Sequence, residues 1–199
     1  MAIIARSKGN SVPVSEGVHT GVCIWVIDLG EQYNKMFDNT SRKVMLTWEI
    51  PDETIVVEGE EKPRVISKEY TLSLNEKAIL RQHLEAWRGK KFTEDELGGF
   101  DLANVLGKSC QLQVLHNDKG YAQIGSIMSL PKGMAQLEPE GETIYFDLED
   151  PGCLAIMDKI PEWIRDKIKA SSTYQNLVGA NVDSDGYQEI DDDDKDLPF

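Results

Sequence analysis

The sequence predicts an all-β core with helices: a five-stranded, partly open barrel with one helix between its third and fourth strands, then a C-terminal helix and a disordered acidic tail. Three observations predict it. Runs rich in β-branched and aromatic residues recur at five places before residue 131. A stretch of helical spacing falls between the third and the fourth of them. The net charge of −14 is heaviest at the C-terminal end, where apolar periodicity is lost. Three strands, a helix and two strands is the order of an OB-fold; other small barrels and α+β domains share it, so order alone narrows the class without settling it.

Taken in order, residues 1–16 carry little pattern and read as an N-terminal arm. Val18 to Leu29 is the first strand, with Gly21 as a bulge or bend. Gly30 to Ser41 is polar and reads as a loop. Val44 to Ile50 alternates, with Val44, Leu46, Trp48 and Ile50 on the core face. Pro51 to Pro63 is acidic and turn-rich, a loop or hairpin tip, and Val65 to Leu74 is the third strand. Ser73 with Glu76 fits a capping box, with Asn75 as an alternative cap. Ile79, Leu80, Leu84 and Trp87 form the helix's apolar stripe, and Gly89 closes it.

Phe92 to Leu106 is a connector with a short helix at Asp95. Ser109 to His116 and Tyr121 to Leu130 are the last two strands, joined by a tight turn over Asn117 to Gly120. The barrel domain therefore spans residues 17–135. Residues 136–175 read as linker and C-terminal helix, the helix over Asp158 to Ala170 with Ile160, Ile164 and Ile168 in phase and Pro161 in its first turn. Periodicity is lost from residue 171, and residues 176–199 form the acidic tail.

A chain of 199 residues, 40% hydrophobic, is long enough to bury a sizeable core. No apolar run approaches the ~18 residues of a membrane span, and Met1 to Arg6 is too short for a secretion signal. Three widely spaced cysteines, Cys23, Cys110 and Cys153, argue for a reducing cytoplasm. The charge is uneven. Residues 183–199 hold eight acids and one lysine, and residues 136–182 nine acids and four bases. That leaves eighteen acids and sixteen bases in residues 1–135, a near-neutral body that can carry a local basic groove.

The last ten residues place five aspartates and one lysine around and ahead of an apolar tip, Leu197, Pro198 and Phe199. Such a block stays solvated and presents its end to a partner, with a ring for a pocket and a free α-carboxylate beside it. Asp191 to Lys195 also spells the recognition site of a protease used to remove expression tags, but only four residues follow. This ending resembles the acidic tip of single-stranded DNA-binding proteins of bacteria and their phages, with Leu197 as the apolar residue and Lys195 as an interruption. VIDLGEQ at Val26, RKVMLTWEIP at Arg42, the stretch from Leu80 to Val114 and GYAQIGSIMSLPKG at Gly120 resemble a family of phage and prophage proteins. That family is thought to bind single-stranded DNA, and the resemblance covers roughly residues 18–175.

Binding an unpaired strand needs cations that follow phosphates and exposed rings on which bases stack. OB-folds lay the strand across their second and third strands, between the first and last hairpin loops. The first loop holds Tyr33, Lys35 and Phe37, with Arg42 and Lys43 at its exit; Phe37 folded back as a lid is the alternative. The second loop holds Lys119 and Tyr121, whose ring is in phase with Gln123 and faces out. Trp25 is a further stacking candidate, although Ile27 shares its side, and Arg64 and Lys68 on the third strand reach for phosphates. Trp48 and Trp87 belong to the core, and Arg88, Lys90 and Lys91 favour the dipole at the helix end. Asp196, Leu197, Pro198 and Phe199 are the partner-binding residues.

Metal sites fail on geometry. His19 and Cys23 are ~13 Å apart along a strand and Cys110 and His116 ~20 Å, too far to share a zinc ion. Asn181 to Gly186 has the start of a calcium loop, without its acid of the right length or its helices. No phosphate loop, nucleophile elbow or acid–histidine pair stands out, so no catalytic residue, metal or cofactor is expected. The leading expectation is a phage single-stranded DNA-binding protein in the host cytoplasm, coating DNA during replication and recombination without sequence preference. Its expected partners are single-stranded DNA and, through the tail, phage or host replication and recombination proteins; there is no membrane, and a homo-oligomer is left open. The alternative is an acidic adaptor or DNA mimic that binds protein and no DNA; an enzyme of nucleic-acid metabolism ranks third.

Overall fold

A computed structural model describes residues 12–57 and 59–184, with side chains through residue 179. Most of the N-terminal arm, and the tail from residue 185 with its tip Asp196 to Phe199, lie outside the described residues. The described chain is a β-sheet with a few helices, as the sequence predicts, but the sheet is open and has six strands. β1 (Gly17–Asn34), β2 (Asn39–Val57) and β3 (Glu60–Thr71) come first, then α1 (Ile79–Arg88) and α2 (Glu94–Gly98). β4 (Ser109–His116), β5 (Ala122–Met128) and β6 (Ile144–Phe146) follow, and α3 (Glu162–Lys169) and α4 (Ser172–Ser184) end it. The order across the sheet is β3-β2-β1-β4-β5, with β6 added parallel to β1 beyond the end of β4. Among the described residues no helix is long and apolar enough to cross a membrane.

The polar stretch expected as a loop after the first strand is instead the far half of a hairpin. Pairing continues from Gly30↔Lys43 to Asn34↔Asn39. The turn is held by the Met36 N–H donating to Asn34 Oδ1 at 2.9 Å and by Asp38 at φ 47°. This arm has no face fully buried in a core, so it lacks the alternation that marks a strand. The third strand is likewise longer at its start, because β2 and β3 pair out to Val57↔Glu60. At the other end, α1 begins after Ala78 with no side-chain cap. Ser73 Oγ accepts only from the Asn75 N–H, so the expected capping box is not made. Gly89, at φ 66°, does close the helix.

The first core lies between the sheet and α1. Val44, Leu46, Trp48 and Ile50 of β2 meet Leu112 and Val114 of β4, Ile124 and Ile127 of β5, and Leu80, Leu84 and Trp87 of α1. Trp48 and Trp87 touch with ring centres 5.8 Å apart, and the Trp87 Nε1 donates to Ser109 O. Ile79, expected on this stripe, is 52% exposed.

A second core covers the opposite face of β1 and β2. Ile27, Leu29 and Met45 pack against Ile144, Phe146, Leu148, Met157, Ile160, Ile164 and Ile168. The segment expected as a linker thus supplies a strand and half of this core. The helix expected over Asp158 to Ala170 is shorter because Pro161, with no N–H to give, stands at its N-cap and restricts the residue before it. The expected loss of order after residue 170 is also corrected: α4 runs to Ser184. Gly30, at φ 69°, lets Ser171, just before α4, close on β1; a Cβ there would lie 2.5 Å from Ser171 Oγ.

Candidate nucleic-acid interface

The outer face of the second and third strands, the expected path of DNA, is partly covered by the chain's own C-terminal part. Met45 joins the second core. Glu49, buried, accepts from the Glu140 and Gly141 N–H groups at 2.8 Å each. Glu69 pairs with Lys167 of α3. What stays open on this face is a groove of about 390 Å³ whose lining includes Glu49, Glu61, Glu140 and Glu142, acids that repel phosphate.

The other open place is a seam between β3 and β5. Their Cα atoms come within 8 Å, yet no ladder joins them among the described residues. Lys68 spans the seam, its Nζ donating to Ile124 O at 2.6 Å and lying 5.9 Å from the Tyr70 ring centre. On one side of this bridge is a groove of about 630 Å³ lined by Lys43, Lys68, Tyr70, Lys77 and His83. Its one acid, Glu69, is engaged by Lys167. On the other side is a groove of about 510 Å³ lined by Val12, Lys62, Arg64, Val65 and Ala122, with no acid.

Burial holds Lys68 below the usual lysine range. Burial and, behind it, the charge of Lys68 push His83 down to about 4, so its ring is neutral at pH 7. Burial raises the Tyr70 phenol, which keeps its proton and shares a hydrogen bond with His83 Nδ1 at 2.9 Å. The seam therefore carries its positive charge on lysines and arginine, not on the histidine.

The predicted residues fall into four groups. Tyr33, Lys35 and Phe37 sit at the tip of the β1–β2 hairpin, the two rings 59% and 70% exposed, so Phe37 is no lid. The Tyr33 hydroxyl donates to Asp38 at 2.6 Å. Met36 beside them, 83% exposed, drew no attention because methionine is most often core. Lys43 and Lys68 line one seam groove and Arg64 the other, where Arg64 also donates to Thr54 O and Val12 O. Lys119 and Tyr121 are exposed on a turn in which Asn117 Oδ1 accepts both their N–H groups; Tyr121 is 66% exposed and precedes Ala122 at the seam.

Arg42 and Trp25 are committed elsewhere. Arg42 pairs with Asp28 at 2.6 Å, with Asp147 at 3.6 Å and with Glu149, all lining a pocket that shares no lysine with the seam grooves. Trp25 is half-buried beside Ile144, its Nε1 donating to Glu142 O at 3.1 Å. Lys77 and His83 were missed: their stretch reads as one amphipathic helix, and only the fold turns its first residues toward β3.

Among the described residues no group of His, Cys, Asp and Glu could hold a metal ion. Cys23, Cys110 and Cys153 are buried and unpaired, and burial pushes the Cys23 and Cys110 thiols well up, away from reactive thiolate. No protein-family model matches the chain, and no curated protein sequence matches it.

Proposed function

We propose that this protein binds single-stranded DNA along the seam between β3 and β5, on an OB-type barrel that its own C-terminal segment covers on the other side. The observation that carries the reading is the seam itself: an unpaired gap bordered by Lys43, Lys62, Arg64, Lys68 and Lys77, whose one lining acid is already paired. Phosphates need those cations, and the exposed Tyr121 ring offers a base its face. The barrel assignment is supported by β1 lying between β2 and β4, by the helix between β3 and β4, and by β3 and β5 standing side by side. The sequence resemblance to phage single-stranded DNA-binding proteins selects DNA and a role in phage replication or recombination. The acidic terminus competes for the seam as a polyanion, and Asp196 to Phe199 recruit a replication protein.

Titration of oligothymidylate tests this. Affinity falls steeply with salt, and removing residues 185–199 tightens binding; no binding by either form overturns the proposal. A second reading, an adaptor that binds protein and no DNA, is favoured by Arg42 and Arg64 being tied to partners of their own and by the partly covered outer face. It predicts a protein partner and no DNA binding by the truncated form.

A further inference from the structure

A second basic cavity, about 430 Å³ in volume, lies at the opposite end of α1 from the first seam groove. Its apolar wall includes Trp87 and Phe100; Arg88, Lys90 and Lys108 line it, and no carboxylate does. Arg88 lies 4.5 Å from the Phe92 ring centre and 5.0 Å from that of Phe100, and pairs with Glu96 through Nη2, while its buried Nη1 has no hydrogen-bond partner among the described residues. Lys90 is exposed and makes a long ion pair with Glu96 at 3.8 Å, which solvent screens and a phosphate can replace. Lys108 is exposed and makes no ion pair among the described residues. Its backbone is pinned at the mouth, the N–H donating to Val105 O at 3.1 Å and the carbonyl accepting from Cys23 at 3.0 Å. Two available ammonium groups beside an aromatic wall suit a phosphate joined to a flat ring, and the volume is within the ~300–1,000 Å³ of small-ligand pockets.

We propose that this cavity takes one nucleotide, its phosphate on Lys90 and Lys108 and its base against Phe100 and Trp87. The nucleotide comes from the bound strand, and in this the proposal rests on the single-stranded DNA reading. Gly125 lines the seam groove and Ser129 lines this cavity, so a strand following β5 passes from one to the other in ~13 Å. A free nucleotide offers the same chemistry, and the test separates the two.

The double variant Lys90→Gln, Lys108→Gln is compared with the full chain. The probes are a short oligothymidylate that fills only the seam, one twice as long, and thymidine monophosphate followed by tryptophan fluorescence. Both lysines are on the surface, so the fold is kept, and binding of the short oligomer reports it. The expected result is an unchanged short oligomer and a salt slope for the long one smaller by about 0.7, the share of the one phosphate held by the two lysines. A monophosphate response that disappears in the variant, with the long-oligomer slope unchanged, assigns the cavity to free nucleotide and supports it as well. If neither readout depends on the two lysines, the cavity is no nucleotide site. If the unaltered chain binds neither oligomer, the single-stranded DNA reading fails by itself, and the monophosphate response alone decides the cavity.

Discussion

The two exposed margins of this sheet, the end of β1 past β4 and the gap between β3 and β5, meet the same requirement in opposite ways. Unpaired strand edges invite other chains, so each must be covered. At β1, residues 144–146 add a strand, and seven apolar side chains from residues 144–168 back it with a core. At the seam, among the described residues, the one hydrogen bond from β3 to β5 is that of the Lys68 side chain. Each buried apolar side chain is worth ~1.5–3 kcal/mol, and one hydrogen bond from a charged amine nets about as much as a single such side chain, ~1.5–3 kcal/mol. A ligand arriving at the first margin would have to displace a core. At the second it has only to replace one amine contact, with a phosphate as the better acceptor.

The sharpest way to break this contrast is at the closed margin. Phe146→Ala removes a ring that is 1% exposed and should cost about 3–5 kcal/mol. Because Ile27 and Met45 alternate on their strands with residues of the first core, the loss should appear as one cooperative unfolding transition at lower urea, the same by circular dichroism and tryptophan fluorescence. A separate early transition would show that residues 136–184 peel off as a layer, and the outer face of β2 would then compete with the seam as the binding surface.

At the open margin the expected loss is of binding and not of stability. Tyr121→Ala should weaken oligothymidylate by about 1–3 kcal/mol, the worth of one stacked base, with an unchanged unfolding midpoint because the ring is exposed. Trp25→Phe, matched for ring loss at the covered face, should leave affinity alone, since that indole is held by Glu142 O. Equal effects of the two would erase the distinction between the margins.

How much of this could be read beforehand depends on whether a segment has one buried face. β4 is found residue for residue, because Cys110, Leu112 and Val114 alternate against the core and Asn117 to Gly120 turns the chain. Trp48 and Trp87 were legible as core by phase alone. The hairpin arm beyond Gly30 was not, since its polar residues carry no period. β6 was not, since three residues among acids give no pattern at all. Thr47 and Glu49 look like a solvent face, and only the return of residues 140–141 makes Glu49 a buried acceptor. Arg42 looked free for phosphate because two of its carboxylates, Asp147 and Glu149, lie far along the chain. Local phase therefore recovers the first core, and the site, which depends on what the C-terminal third covers, follows only from the fold.

The smallest expected effect reports on the seam from inside. His83 titrates near 4 in the folded chain, against ~6.5 when unfolded. As pH falls from 6.5 toward 4 the unfolded chain binds a proton that the folded one resists, so stability declines across that window and levels off below it. His83→Gln should flatten that part of the stability profile, modestly, because the ring is partly exposed and solvent screens it. Lys68 is one of the two causes of the depression, the other being burial. Lys68→Met should therefore raise the His83 value, and so should a phosphate that neutralises Lys68. Oligothymidylate binding then takes up protons between pH 4 and 6.5 and strengthens as pH falls, an effect read by NMR of the His83 ring with and without DNA. A His83 titration that DNA leaves in place, beside measurable binding, would put the strand outside the Lys68 groove and make the two margins equally closed.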